Sequence, residues 1–301
     1  MGKARDEVEM YLLQGDSNTI AIIDTGPVEV FLPPLSSSLE ALNVTLGDIH
    51  LILNTHWHPD HTGGNADIKA ASEAQILIHR DEVIFLEDPG LGFDRYKAPI
   101  IQELMGPELL LQEKAAAVEA GGGVTADRHL DDNDVIEVGD SIRLRVIHLP
   151  GHSPGSVGYY WEQEAVLFTG DSVTGLHVGD GKLPLIFDFT AYEKSIERLL
   201  EIPLQLLLCG HRFRGITLPP SPVRRSSEIR EYLRDSLEVA KRICEAVRHV
   251  VFWEEKGSLL ETIDKVVARL PKKMGFKMTA DLTSPIFSAS TVYWCLRQLG
   301  L

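Results

Sequence analysis

The sequence predicts an α/β fold built on two sheets, followed by a small, mainly helical C-terminal unit. Three observations carry that prediction. Short apolar runs broken by Gly, Asp and Asn recur from residue 8 to residue 208, and some are separated by stretches of helical periodicity. Four such runs follow one another between residues 134 and 168, at the close spacing of an antiparallel sheet. Beyond Pro219, Pro220 and Pro222 the texture changes to apolar residues at helical spacing.

Taken in order, the runs at 8–13 and 19–23 flank Gly15-Asp16-Ser17-Asn18, which reads as a hairpin turn. Residues 37–42 suit a short helix. The run 49–53 is a strand that leads directly into Asn54-Thr55-His56, and 76–78 is a second, buried strand. Residues 81–124 carry Pro89, Gly90, Gly92, Pro99, Gly106 and Pro107, a mixed helical and loop-rich texture expected of an insertion or lid. The runs 134–138, 142–146, 157–161 and 165–168 form the second sheet. A helix at 192–200 and a strand at 204–208 complete the body, which ends in Cys209-Gly210-His211. The proline cluster places a boundary between a catalytic domain, 1–220, and a helical domain, 221–301. In the latter Ser226 is placed to cap a long helix with a stripe of Ile229, Leu233, Leu237, Ala240, Ile243 and Val247. Further helices are expected at 259–270 and 288–299.

A chain of 301 residues with 44% hydrophobic content can bury a substantial core. The formal net charge of −15 argues against a general polyanion-binding role. Residues 221–301 hold 14 Lys and Arg against 10 Asp and Glu, so a locally basic tail sits on an acidic body. No run is long enough to span a bilayer and the first residues lack a signal-peptide pattern, so a cytoplasmic location is expected. Cys209, Cys244 and Cys295 form no paired motif, which leaves imidazole and carboxylate as the ligands for any metal.

The chemistry concentrates in Thr55-His56-Trp57-His58-Pro59-Asp60-His61-Thr62-Gly63-Gly64, three histidines and a carboxylate within six residues after a strand. In extended backbone His56 and His58 share a face, and a turn at Pro59 directs Asp60 and His61 to a neighbouring position. Pro150-Gly151-His152, Thr169-Gly170-Asp171 and Cys209-Gly210-His211 repeat a theme of strand, glycine and ligand, the glycine letting the chain turn sharply into a crowded site. Nitrogen and oxygen donors without thiolate suit zinc, and iron, manganese and cobalt accept the same donors.

This H-x-H-x-D-H motif, with its separate His, Asp and His in that order, resembles the metallo-β-lactamase superfamily over most of residues 8–215. The resemblance implies an αββα sandwich with two metal ions, Zn2+ or else Fe or Mn, at one edge of the sheets. It implies one ion on His56, His58 and His152, a second on Asp60, His61 and His211, Asp171 bridging them, and Asp24 in support. Two cations sharing a water supply hydroxide near neutral pH, and Asp60 or a metal-bound water is the group expected to return a proton to the leaving group. The T-H-x-H-x-D-H-x-G-G form is closer to hydroxyacylglutathione hydrolases and lactonases, so the expected substrate is a small-molecule thioester, lactone or other ester. Two alternatives stay open: an endoribonuclease, because some members with a helical or winged-helix C-terminal domain cleave RNA, and a mononuclear iron persulfide-type dioxygenase. The apolar C-terminal helices offer a surface for a homodimer.

Other candidates have plainer readings. His50, His79, His129, His148 and His249 read as structural, while His177, in a Gly-rich loop after Asp171, is the one expected to face substrate. Trp57 and Tyr192 read as packing residues. Phe93, Tyr96 and Ile100 suit either a substrate cleft or a lid core. Arg224, Arg225, Arg230 and Arg234 read as a solvated helix face.

Overall fold

The computed structural model describes residues 8–16, 18–27, 38–121, 123–178, 181–254, 257–276 and 283–301. Two sheets lie face to face. The first has the order β1-β2-β3-β4-β5, made of Tyr11–Gln14, Ile20–Ile23, Ile49–Leu53, Gln75–His79 and Arg128–Leu130. The second runs β11-β10-β9-β8-β7-β6, where β6 to β11 are Val135–Val138, Ile142–His148, Val157–Trp161, Val166–Gly170, Leu206–Cys209 and Val223–Arg225. Antiparallel pairing dominates the second sheet, interrupted by the parallel pair of β9 and β10. The first is parallel beyond its opening hairpin.

Parallel neighbours need crossovers of a dozen residues or more, and these explain two segments. The motif helices Pro59–Thr62 and Asn65–Ser72 carry the chain from β3 to β4. The 81–124 segment is the crossover from β4 to β5, and it is more helical than its composition suggests: Val83–Glu87, Pro89–Tyr96, Ala98–Met105 and Pro107–Gly121 follow almost without a break. Its prolines begin helices instead of breaking them, because in the first turn a proline forfeits no intrahelical bond.

Alternation along each strand builds three cores. Ala21, Ile23, Leu53 and Leu77 face the second sheet and meet Val146, Tyr159 and Phe168 there. Ile22, Ile52, Ile76 and Ile78 point the other way, against Ile68 and the crossover helices. On the outer face of the second sheet, Ile147, Tyr160, Leu167 and Leu207 pack with the helices Phe189–Glu201 and Ser227–Trp253. That third core continues through Ile243, Ile263 and Val292, so it runs unbroken past residue 220 into the C-terminal helices Leu259–Arg269 and Thr283–Gln298. No helix among the described residues is long and apolar enough to cross a membrane.

Several details depart from expectation. Strands β5 and β11 go beyond the sequence reading; with three residues each they carry too little periodicity to read. Ser226 precedes the long helix but makes no side-chain capping bond, its backbone lying at φ +49°. Arg224 is on β11, not on a solvated helix face, and is almost fully buried: it donates to the carbonyls of Phe213 and Pro219 and lies over the Tyr232 ring. The short helix expected at 37–42 is seen over 38–41, and residue 37 lies outside the described residues.

Candidate metal centre

Every sequence-predicted ligand lies just beyond the carboxyl end of a strand, where open α/β sheets place their sites. His56, His58, Asp60 and His61 follow β3, with His58 at the N-cap of the turn Pro59–Thr62. His152 follows β7, Asp171 follows β9, and His211 follows β10. All seven converge into three overlapping groups: His56 with His58 and His152, His56 with His61 and Asp171, and Asp60 with His61 and His211. Except for the half-exposed Asp60, they are buried.

The hydrogen bonds around three of the rings fix which nitrogen each presents. Thr55 Oγ1 donates to Asp24 and therefore accepts from His56 Nδ1 at 3.0 Å. His152 Nδ1 donates to the Leu185 carbonyl at 2.9 Å, and His61 Nδ1 donates to Asp24 Oδ2 at 2.8 Å. Each ring thus turns an Nε2 lone pair inward. His56 Nε2 and His152 Nε2 stand 3.2 Å apart, and both lie within 3.0 Å of His58 Nδ1. Two facing lone pairs at that distance repel unless a cation lies between them. His61 Nε2 and Asp171 Oδ1, 3.7 Å apart, are likewise buried and make no hydrogen bond among the described residues. The donor set fits a divalent cation on these orphaned atoms.

Electrostatics separate the two halves. Burial, reinforced by neighbouring imidazoles, holds His56 and His58 well below the ordinary imidazole pKa. Burial lowers His152 as well, against the opposing pull of Asp171. These rings are neutral, as ligands must be. In the other half burial is overridden by charge. Asp24, Asp60 and Asp171 raise His61 well above its usual value, and Asp171 and Asp60 lift His211 to about 10. Asp171 is held well below the carboxylate range by His211 and His61 despite its burial. That half draws positive charge, whether as protons or as a metal ion.

Tight approaches explain two of the glycines. Gly151 has φ +138°, and a Cβ there would lie 2.5 Å from the Tyr192 backbone. At Gly210 the backbone is ordinary and the constraint is space, since a Cβ would fall 2.7 Å from both Asp171 Oδ1 and His61 Cε1. Asp24 itself sits at φ +56°, a conformation that an Asp tolerates better than most residues.

Two supporting residues are not visible in the sequence. Glu82 is fully buried; one carboxylate oxygen accepts from Trp57 N at 2.9 Å, the other from Ser153 Oγ at 2.7 Å and Gly155 N at 2.5 Å. It therefore ties the His56–His58 segment to the His152 loop. Lys97 lines the cleft above the cluster, with Pro59, Thr174, Leu185, Phe213 and the expected His177. A lone cation in the apolar run Tyr96-Lys97-Ala98-Pro99-Ile100-Ile101 is its only sequence signal. Phe93, Tyr96 and Ile100 are buried lid core and do not line that cleft. A fourth close group, His79, Asp81 and His148, suits a metal less well. Its imidazoles stack at 4.2 Å and 11°, and an ion cannot lie in two nearly parallel ring planes at once.

A sequence model of the metallo-beta-lactamase superfamily matches residues 5–211, more than half of the chain. The chain belongs to this superfamily. Among its relatives in the metallo-beta-lactamase superfamily, a hydroxyacylglutathione hydrolase of Rhodospirillum rubrum is 31% identical over 193 residues, 63% of this chain and 59% of that protein. An atrochrysone carboxyl ACP thioesterase of Claviceps purpurea is 25% identical over 243 residues, 80% of this chain and 61% of that protein. In both cases the chain spans less than two-thirds of the relative's length. The crystal structure of a metallo-beta-lactamase family protein from Thermus thermophilus superposes with a TM-score of 0.69 at 22% identity, covering 97% of this chain and 89% of that one, a likeness of fold. Membership in this superfamily and the His and Asp cluster together imply divalent metal binding.

Proposed function

We propose that the chain is a metal-dependent hydrolase of small-molecule thioesters, working with two divalent ions, zinc foremost. The observation that carries this reading is the convergence of the His56 and His152 lone pairs on His58 Nδ1, beside the carboxylate-rich set of Asp60, His61 and His211. The first trio would hold one ion and the second trio the other, with Asp171 between them; its carboxylate lies 3.8 Å from His152 Nε2 and 3.4 Å from His211 Nε2. When bound, the ions supply acidity to a water and a positive field for the developing oxyanion. Asp60, half-exposed beside the cleft, is the group placed to pass a proton to the departing thiolate. His177, edge-on to Phe213 at 5.2 Å, faces the substrate. Relatives named as a hydroxyacylglutathione hydrolase and an ACP thioesterase favour a thioester over a lactone.

The test is elemental analysis of the purified chain together with hydrolysis assays on glutathione thioesters, lactones and short RNA. Near two zinc per chain with thioester turnover is the expected result, and Asp171→Ala should lose both metal and turnover. RNA cleavage without acyl turnover overturns the substrate class; a single iron with oxygen consumption overturns the hydrolase reading.

A further inference from the structure

Lys97 stands out among the residues lining the cleft. It joins the helices Pro89–Tyr96 and Ala98–Met105 and shares the cleft with His58, Asp60 and Asp171. Among the described residues no carboxylate forms an ion pair with it, although Asp60 and Glu113 act on it at longer range. Leaving a half-buried ammonium without a close partner costs free energy, and side chains of this kind are retained where a ligand completes them. Its backbone is firmly held. The adjacent Tyr96 stacks on Phe187 at 4.6 Å, packs beside Trp57, and accepts at its carbonyl from Trp294 Nε1 at 3.4 Å. Leu185 and Phe213 add apolar surface to the same cleft. Among the residues lining this cleft Lys97 is the one lysine or arginine, inside a molecule whose net charge is −15.

We infer that Lys97 is a specificity residue, which binds an anionic group, a carboxylate or a phosphate, carried by the substrate next to its scissile acyl group. This rests on the thioesterase reading above. The lid thereby selects charged acyl compounds over neutral ones of the same length, and an ammonium suits the task because it is a compact charge that accepts either anion.

Two matched pairs of probes test it on the zinc-loaded full chain. In one the charge is on the acyl side, S-succinyl against S-pentanoyl N-acetylcysteamine; in the other it is on the leaving thiol, S-acetyl mercaptopropionate against S-acetyl N-acetylcysteamine. Lys97→Met should lower kcat/KM for the charged member of at least one pair by about tenfold or more and leave its neutral partner within about twofold, with Lys97→Arg recovering much of the loss. A second readout needs no turnover. In lysine side-chain NMR, the signal that Lys97→Met deletes should move with succinate and stay still with succinamide, its neutral counterpart. Equal losses across both pairs, or a Lys97 signal unmoved by saturating succinate, overturn the inference. Should the wild type turn over no thioester at all, the thioesterase reading falls and the succinate titration alone decides Lys97.

Discussion

At the scale of single residues, the predicted ligands declare themselves while their supports do not. His56, His58, Asp60 and His61 fall within six residues, a density that few structural needs would produce. Glu82 has no such company in sequence, and it matters only because folding brings Trp57 and Ser153 to it from opposite directions. Burial pushes its pKa up from 4.5 to about 7. The folded state therefore binds this proton more tightly than the unfolded chain does. Its contribution to stability is full below pH 4.5 and declines as the pH rises through 7. Glu82→Gln cannot titrate, and on one side it must turn an amide NH2 toward a backbone N–H. The variant should be about 1–3 kcal/mol less stable than wild type near pH 5, with the gap narrowing above pH 7. Urea unfolding across that range checks the slope, and a drop in bound metal checks that the clasp orients the His152 loop.

At the scale of elements, strand ends and the turns after them were legible because period-two apolar runs stop where chemistry begins, as at Leu53 and Gly170. The helical character of the 81–124 crossover was less so, because a proline in a first turn and a proline that breaks a helix look alike until the hydrogen bonds are known. Gly151 shows how much one turn carries: its carbonyl accepts from Phe187 N at 2.8 Å and Asp188 N at 3.0 Å, which ties the loop carrying Leu185 to the turn that carries His152, just ahead of the helix Phe189–Glu201. Gly151→Ala should cost on the order of 3 kcal/mol or more, since the new Cβ meets backbone that cannot yield. Thermal unfolding measures it, and a tolerated alanine would mean that the helix can move. Arg224 makes the same point for β11. Its guanidinium bonds the carbonyls of Phe213 and Pro219 and so fixes the loop after His211, which a row of basic residues in sequence gave no reason to expect.

At the scale of the whole molecule, the C-terminal helices belong to the site's foundations. Thr291 Oγ1 donates to the Pro184 carbonyl at 2.7 Å, Leu183 N donates to Ser288 Oγ at 3.2 Å, and Trp294 packs on Tyr96 and Phe187. These contacts grip the loop whose Leu185 carbonyl orients His152 and the lid junction that bears Lys97. Trp294→Ala should therefore cost about 2–3 kcal/mol in stability and weaken metal retention as well. Calorimetric metal titration separates the two effects, and unchanged affinity would confine the C-terminal unit to packing. The same folding brings Cys244 and Cys295, 51 residues apart, to an Sγ–Sγ distance of 3.5 Å as free buried thiols, an encounter that their spacing conceals.

The sequence by itself determined the two-sheet plan, the positions of the strand ends and the seven ligand-type side chains, because hydrophobic period and dense donor motifs are local properties of a chain. Only the tertiary structure decided which lone pairs face inward, which lysine overlooks them and what braces each loop. Those depend on distances between segments scores of residues apart, and a one-dimensional pattern carries no such distances.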